Sequence, residues 1–217
     1  MTHGDGDTRE RLIEAASRLF GERGLRQVTV RDICGAAEAN VAAVNYHFGD
    51  KLGLYREVLE RAIAVMQDTV EQTRRATAAL PVEDRLRAHI VAYVRRLATG
   101  GGDSWVHRLI SREMAEPTAA LDEIVNRAIR PRIRYVASLV AELMGCETDD
   151  PRVARSVASI QAQCTMSLPH PIRDRVAPRP AWTAAEVDAL AAHVVAFSLA
   201  GIRALAAQNA PRRRAHQ

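Results

Sequence analysis

The sequence predicts an all-α protein with a small N-terminal helical domain followed by a larger helical one. In almost every segment the apolar residues recur at intervals of three and four, which is the spacing of one helix face, and no segment alternates convincingly as a strand would. Hydrophobic residues make up 47% of the 217 residues, which is normal for a protein with a packed core. Capping residues and prolines separate the periodic segments, so roughly nine helices are expected.

Composition excludes several classes of protein. The chain has no run of about 18 uncharged apolar residues, and its polar first seven residues lack the apolar core of a signal peptide. A cytoplasmic protein with no membrane span is therefore expected. The three cysteines, Cys34, Cys146 and Cys164, form no CxxC pair. That spacing favours buried thiols over a zinc site or a disulfide framework, and neither a metal nor a cofactor is predicted.

The first helix is predicted to begin at Asp7 or Thr8, because Asp7 and Glu10 are spaced as in a capping box. Gly24 is typical of the left-handed residue that ends a helix. One apolar stripe lies between these ends and consists of Leu12, Ile13, Ala16, Leu19 and Phe20.

Two short helices are predicted next. Thr29, with Asp32 at the third position, caps the first of them. A break over residues 38–40 separates it from the second, which extends to about His47. Two short helices joined by a tight turn and braced by a preceding helix form the unit that many proteins use to bind DNA.

The remaining helices are longer. Asp50 caps one that begins at Lys51 and must end before Pro81. Further helices are predicted over residues 82–98, 105–115, 118–145, 151–168 and 184–208. Local signals support their ends: caps at Ser104 and Thr118, an interruption at Pro131, a first-position Pro151, and a capping box of Thr183 and Glu186. Four prolines between residues 169 and 182 predict a loop.

The second short helix has the side chains that base recognition requires. It must enter a major groove about 12 Å wide, so short or polar side chains should lie near its N-terminus. The candidate base-contacting residues are Asn40, Val41, Ala42 and Asn45. An asparagine can bind adenine through two hydrogen bonds.

Candidate phosphate contacts surround this helix at Thr29, Arg31, Tyr46, His47 and Lys51. Residues 1–51 carry seven basic and eight acidic side chains, so the predicted module is not a basic patch. The basic excess lies elsewhere, as at Arg130, Arg132 and Arg134. DNA binding must therefore depend on a few placed side chains and on helix N-termini, whose free N–H groups attract phosphate. On periodicity alone, an ordinary helical bundle fits this segment equally well.

A longer motif distinguishes the two interpretations. Residues 29–33, Ala36-Ala37 and the stretch Val44-Asn45-Tyr46-His47-Phe48-Gly49-Asp50-Lys51 resemble the N-terminal domain of TetR/AcrR-type regulators. Two positions depart from that pattern. Glu38 replaces the usual turn glycine, and Asn45 replaces a tyrosine, which makes Asn45 a candidate base reader.

The second half resembles the CecR-type C-terminal domain, through Arg112-Glu113-Met114-Ala115-Glu116-Pro117-Thr118 and the ending from His193 to Gly201. This resemblance implies three parts: a DNA-binding domain at 1–52, an effector-binding and dimerisation domain at 53–210, and a basic tail at 211–217. The last two helices would form the homodimer.

An apolar effector pocket with a few orienting polar groups is expected in the second domain. Its candidate residues are Trp105, His107, Arg112, Met114, Cys164, Met166 and His170. The alternative is that the methionines and the tryptophan are ordinary core residues and the histidines surface or satisfied core residues.

The predicted function is therefore a one-component transcriptional regulator, a repressor that a small-molecule effector releases from a palindromic operator. The alternative is a helical adaptor, or an all-α ligand-binding protein, that binds no DNA. An enzyme is not expected, because the sequence has no HExxH motif, no paired ExxH motifs for a di-iron site and no glycine-rich phosphate loop.

Overall fold

The computed structural model describes residues 3–99, 105–165, 175–176 and 183–208. All regular elements in this part of the chain are helical, as predicted. They are α1 (His3–Gln27), α2 (Val30–Ala36), α3 (Val41–Phe48), α4 (Lys51–Ala76), α5 (Val82–Thr99), α6 (Trp105–Ala115), α7 (Ala120–Ile124), a π-helical turn (Val125–Ile129), α8 (Arg130–Met144), α9 (Pro151–Thr165) and α10 (Ala184–Ala207). With α7, the π turn and α8 counted as one interrupted helix, the described residues form nine helices.

Most predicted helix ends are confirmed, and the start of α1 is wrong. α1 begins at His3, so Asp7 lies inside the helix and does not cap it. Gly24 adopts a positive φ of 78° and breaks the regular helix, as predicted. Three predicted features lie outside the described residues: the cap at Ser104, the loop at 169–182 except for residues 175–176, and the tail at 211–217.

The interruption predicted at Pro131 is confirmed. A π-helical turn ends at Ile129, two residues before the proline. Because proline has no N–H, the carbonyl of Arg127 loses its normal helical donor. The Gln67 side chain replaces that donor, at 2.7 Å from the Arg127 oxygen.

The chain divides into two compact units. Unit 1 consists of Met1–Asp68 and Gly102–Ile129, and unit 2 of Thr69–Gly101 and Arg130–Gln217. Unit 1 therefore contains the predicted DNA-binding domain together with most of α4 and with α6 and α7. The chain passes between the units three times, after Asp68, Gly101 and Ile129.

The core of unit 1 joins the N-terminal helices to α4 and α6. Phe20 of α1 packs edge-on against Tyr55 of α4, with ring centroids 5.0 Å apart. α6 lies close to α1 at Gly21, where an added Cβ would be 3.1 Å from the Trp105 carbonyl oxygen. Val44 of α3 is fully buried in the same core.

The core of unit 2 is formed by α5, α8, α9 and α10. Among the described helices, α10 alone is long and apolar enough to cross a membrane, with a mean hydropathy of 1.7. Its side chains divide between two environments. Val187, Val194 and Ile202 are buried in unit 2, whereas Phe197 is 64% exposed.

Candidate nucleic-acid interface

α2 is held at its N-terminus by a complete capping box. The Thr29 hydroxyl oxygen accepts a hydrogen bond from the Asp32 N–H at 3.2 Å, and the Asp32 carboxylate accepts the Thr29 N–H at 2.9 Å. The Thr29 hydroxyl also donates to this carboxylate, at 2.7 Å. These bonds from Thr29 lower the pKa of Asp32. A phosphate bound by Thr29 would therefore have to replace Asp32 as its partner.

The turn between α2 and α3 forms without glycine, as its sequence requires. Glu38 adopts a left-handed conformation with a φ of 49°. On either side, the Ala37 N–H donates to the Ile33 oxygen at 2.9 Å and the Ala39 N–H to the Cys34 oxygen at 3.0 Å. These bonds hold Glu38 in a conformation that costs a non-glycine residue about 1–2 kcal/mol.

α3 presents one exposed face to the outside of unit 1. Val44 on the opposite side is fully buried, which fixes the rotation of the helix. The outer face consists of Val41, Ala42, Asn45 and Tyr46, all of them exposed. Asn40 caps the helix, with its side-chain oxygen 3.0 Å from the Ala42 nitrogen, and its amide N–H groups stay available.

The two rings after Asn45 differ in their surroundings. Tyr46 is 77% exposed, as a side chain that contacts DNA must be. His47 is half-buried, and its ring centroid lies 4.9 Å from that of Tyr46 and 5.8 Å from that of Phe48. His47 thus lies between two aromatic rings, beside the predicted interface.

Lys51 has an internal role that the sequence did not predict. Its ammonium donates to the carbonyl oxygens of Leu25 and Val28, each at 3.0 Å. The side chain therefore ties the start of α4 to the last turn of α1 and to Val28, which follows it. Two of its three N–H groups are used in this way, so a phosphate contact would use the third.

The α3–α4 connection depends on glycine at two positions. Gly49 has a positive φ of 78° and donates its N–H to the Asn45 oxygen at 3.0 Å. Gly53 lies so close to the Phe48 carbonyl that an added Cβ would overlap its oxygen. Asp50 accepts the Gly53 N–H at 2.7 Å, as expected for a cap. The angle between α3 and α4 is therefore tightly fixed.

Arg31 is the candidate phosphate contact with the fewest contacts to other residues of the protein. It is exposed on α2 and forms no ion pair or hydrogen bond with a described residue. Another arginine, Arg9, was not predicted to have a role near this surface. Its guanidinium lies 5.5 Å from the centre of the Phe48 ring and pairs with Glu57, so it braces the end of α3.

The predicted effector residues are divided between the two units. Trp105 and His107 are half-buried on α6 of unit 1. Burial lowers the pKa of His107, whose ring lies 3.4 Å from the Ser111 hydroxyl. On the same helix, Arg112 donates to the Glu22 oxygen at 2.8 Å, and Met114 is 61% exposed.

Cys164 lies in the core of unit 2 and is fully buried. Burial raises the pKa of its thiol to about 12, so the thiol stays protonated. Cys34 is also buried and Cys146 half-buried, and all three cysteines are free. Met166 and His170 lie outside the described residues. The assignment of an effector pocket to the predicted set stays a prediction.

Comparison with known proteins identifies the family. A family model described as bacterial regulatory proteins of the tetR family matches residues 12–58. A second model, for the C-terminal domain of the HTH-type transcriptional dual regulator CecR, matches residues 82–202. The chain belongs to the TetR family of DNA-binding transcriptional regulators. Its C-terminal domain is of the CecR type, and the members of this family are not enzymes.

Individual relatives agree with this assignment. The HTH-type transcriptional dual regulator CecR of Shigella flexneri is 31% identical over 162 residues, which cover 70% of this chain and 72% of CecR. The HTH-type transcriptional repressor BepR of Brucella suis is 25% identical over 75% of this chain and 77% of BepR. A putative transcriptional regulator from Saccharomonospora viridis, solved in complex with choline, shares the fold with a TM-score of 0.60. It is 19% identical over 88% of this chain and 95% of its own.

Proposed function

We propose that this TetR-family regulator is a homodimeric repressor that leaves a palindromic operator when a small-molecule effector binds. The observation that carries the DNA-binding part is the outer face of α3. That face combines small side chains with Asn45 and Tyr46 on a helix whose rotation is fixed by Val44. Such a face can approach base edges closely, because the side chains of Val41, Ala42 and Asn45 are short.

The contacts divide into two classes in this proposal. Asn40, Val41, Ala42 and Asn45 face the bases, where Asn45 forms paired hydrogen bonds with an adenine. The phosphate contacts surround these residues and come from Thr29, Arg31, Tyr46, His47 and Lys51. Such contacts set the register of the helix on the DNA but not its sequence preference. Arg31 supplies a full charge with no competing internal partner.

Exposed rows of small residues on α9 and α10 support the homodimer. The exposed faces of these helices carry Ala154, Ala158 and Ala162 on α9, and Ala192, Ala196 and Ala200 on α10. Small side chains let two helices approach closely, and Phe197, 64% exposed beside them, would be covered by the partner. In a dimer, the two α3 helices would enter successive major grooves about 34 Å apart.

Repression and effector release are supported by the relatives and by the course of the chain. BepR is named a repressor, and the protein from Saccharomonospora viridis binds choline. Here α4 begins in unit 1 at Lys51 and ends in unit 2 at Ala76, so one helix contributes residues to both. An effector lowers DNA affinity if it binds the arrangement of α4 that is released from DNA more tightly than the arrangement that binds DNA. The size of the decrease is set by the ratio of the effector's affinities for these two arrangements. The operator lies on the chromosome, so we place the protein in the cytoplasm.

The test combines footprinting with transcription. The purified protein is incubated with the DNA upstream of its own gene, and the protected region is mapped. We expect protection over two half-sites one helical turn apart and a dose-dependent fall in transcription from that promoter in vitro. A rise in transcription would contradict repression, and protection of a single half-site would contradict dimeric binding.

The dimer is tested separately by light scattering. Phe197→Asp should convert the dimer to a monomer, because it places a charge in the proposed interface. Arg134→Asp, an exposed change on α8, is the control and should leave the mass unchanged. A wild-type protein of monomeric mass at micromolar concentration would contradict the proposed dimer.

A further inference from the structure

The charges of the DNA-binding region nearly cancel in total, but they are unevenly distributed along it. Residues 1–51 carry seven basic and eight acidic side chains. Near the start of α1, Arg9 pairs with Glu57 of α4, and Arg11 pairs with Asp7. The two charges of each pair offset one another, so this end of the region offers little attraction to an anion.

Three arginines around the end of α1 and the start of α2 have no such partner. Arg23 and Arg26 lie near the end of α1 and Arg31 lies in α2, and all three are exposed. No described residue forms an ion pair or a hydrogen bond with any of them. Their charges therefore stay available to an anion from outside the chain.

A fourth arginine reaches the same end of α1 from a distant part of the sequence. Arg112 of α6 donates to the Glu22 carbonyl oxygen at 2.8 Å, and a Cβ added at Gly24 would lie 4.0 Å from the Arg112 Cδ. Arg112 is exposed, and this one bond leaves most of its N–H groups free. The end of α1 and the start of α2 therefore gather four guanidinium groups, none of them in an ion pair with a described carboxylate.

The acidic residue Asp32 lies in the same region, and its charge is partly offset. Its carboxylate accepts the Thr29 N–H at 2.9 Å and the Thr29 hydroxyl at 2.7 Å. These hydrogen bonds, and then the charge of Arg23, lower the pKa of Asp32. Arg23 is therefore close enough to weaken the repulsion that this carboxylate exerts on a phosphate near Thr29.

The segment that carries Arg26 borders the predicted DNA contacts. Lys51 donates to the carbonyl oxygens of Leu25 and Val28, each at 3.0 Å, so the residues on both sides of Arg26 are held against a predicted phosphate contact. Thr29, another predicted contact, follows Val28 directly. The exposed charge of Arg26 is therefore next to the surface that the proposed function assigns to DNA.

We propose that Arg23 and Arg26, reinforced by the charge of Arg112, bind backbone phosphates of the DNA outside the groove that α3 enters. Arginine is suited to this role, because its planar fork can bind two phosphate oxygens at once. Such contacts add affinity for any duplex and fix the position of the protein on it, but they do not read its sequence. The location beside the groove rests on the proposed role of α3, whereas the attraction of a duplex to these arginines does not.

The test measures the affinity of the full-length protein for a duplex of random sequence, by fluorescence anisotropy at several potassium chloride concentrations. Each neutralised phosphate contributes about 0.9 to the slope of log affinity against log salt concentration. The double variant Arg23→Gln, Arg26→Gln should lower the slope by about 2 for each bound subunit and weaken binding by about tenfold or more at low salt. The matched control, Arg130→Gln with Arg134→Gln, removes two exposed arginines of α8 and should behave as wild type.

A decrease in slope of less than about 1 for each subunit in the double variant would overturn the proposal, as would an equal decrease in the control. Wild-type protein that does not bind the random duplex even at low salt would overturn it as well. Because this duplex contains no operator, these results are distinguishable from a failure of operator recognition or of repression.

A free anion has the same chemistry as a backbone phosphate, so a second measurement separates the two. Melting temperatures without DNA are recorded in potassium phosphate and in potassium chloride at equal ionic strength. We expect wild type and the double variant to respond alike to phosphate. A saturable rise with phosphate in wild type that the double variant lacks would assign the arginines to a small anion and would overturn the proposal.

Discussion

The Tyr55 hydroxyl of α4 donates a hydrogen bond to the carboxylate of Glu113 on α6. Only 2% of Glu113 is exposed, and its oxygens also accept the Thr118 N–H at 3.1 Å and the Thr118 hydroxyl at 2.9 Å. Burial, together with this bond, raises the pKa of Tyr55, so the phenol stays a donor. The pair connects α4, the helix that follows α3, to a helix from a distant part of the sequence.

Tyr55→Phe should lower the free energy of unfolding by about 1–3 kcal/mol, because the buried carboxylate loses a donor and gains none. Urea denaturation measures this loss. Tyr46→Phe removes a hydroxyl from an exposed ring and should change stability by less than about 0.5 kcal/mol. Equal effects of the two changes would contradict the role given to Glu113.

Gly53→Ala should weaken operator binding and destabilise the protein by about 1–3 kcal/mol, because its Cβ would overlap the Phe48 carbonyl and displace α3. Gly35→Ala is the matched control, since an added Cβ there meets nothing within 4 Å. That exposed helical position should gain up to about 1 kcal/mol and keep its DNA affinity. The two variants are compared by chemical denaturation and by fluorescence anisotropy with labelled DNA.

Glu38→Gly should raise the free energy of unfolding by about 1 kcal/mol, because glycine adopts a positive φ without the steric cost that Glu38 bears. Glu38→Ala removes the same charge but keeps the unfavourable backbone, so it should stay within about 0.5 kcal/mol of wild type. If alanine stabilised the protein as much as glycine, charge rather than conformation would be the cause.

Stability should fall as the pH is lowered from about 6.5 to about 4, and His89 should account for part of the fall. Its pKa is about 4 in the fold, where burial and the charges of Arg132 and Arg96 oppose protonation, and 6.5 ordinarily. In this range the unfolded chain binds a proton that the folded protein does not, so acid favours unfolding. The effect of this one group is at most on the order of 3 kcal/mol.

Denaturation at pH 7 and pH 4.5 measures that effect. His89→Gln should lose less stability between the two values than wild type does. His193→Gln, exposed on α10, should keep the wild-type difference. An identical loss in the His89→Gln protein would show that this histidine does not titrate as described.

Features set by local spacing could be predicted from the sequence. The capping boxes at Thr29 and Thr183 both form, because each needs only an acidic residue three positions later. The interruption before Pro131 forms for an equally local reason, the missing N–H. The turn at Glu38 forms without glycine, as the sequence required, although the left-handed conformation of Glu38 was not predicted. The all-α fold and its helix count depend on the same short-range signals.

Features that depend on distant residues could not be predicted in this way. The partners of Lys51 are backbone carbonyls 26 and 23 positions earlier, and no local sequence pattern identifies them as its acceptors. Arg132 lies between two arginines in a segment with a basic excess, and such residues are normally exposed, yet it is buried. The placement of α6 in unit 1 likewise depends on contacts with α1 and α4 that periodicity does not encode.

The central claim is that the exposed face of α3 reads the operator sequence, and Asn45→Ala tests it most directly. Affinities for the upstream operator and for a shuffled duplex are measured by anisotropy at one salt concentration. Wild type should prefer the operator by about a thousandfold or more. Asn45→Ala should reduce that preference by about tenfold, whereas Arg31→Ala should weaken both complexes equally. Equal weakening of both complexes by Asn45→Ala, or no preference in wild type, would contradict the account.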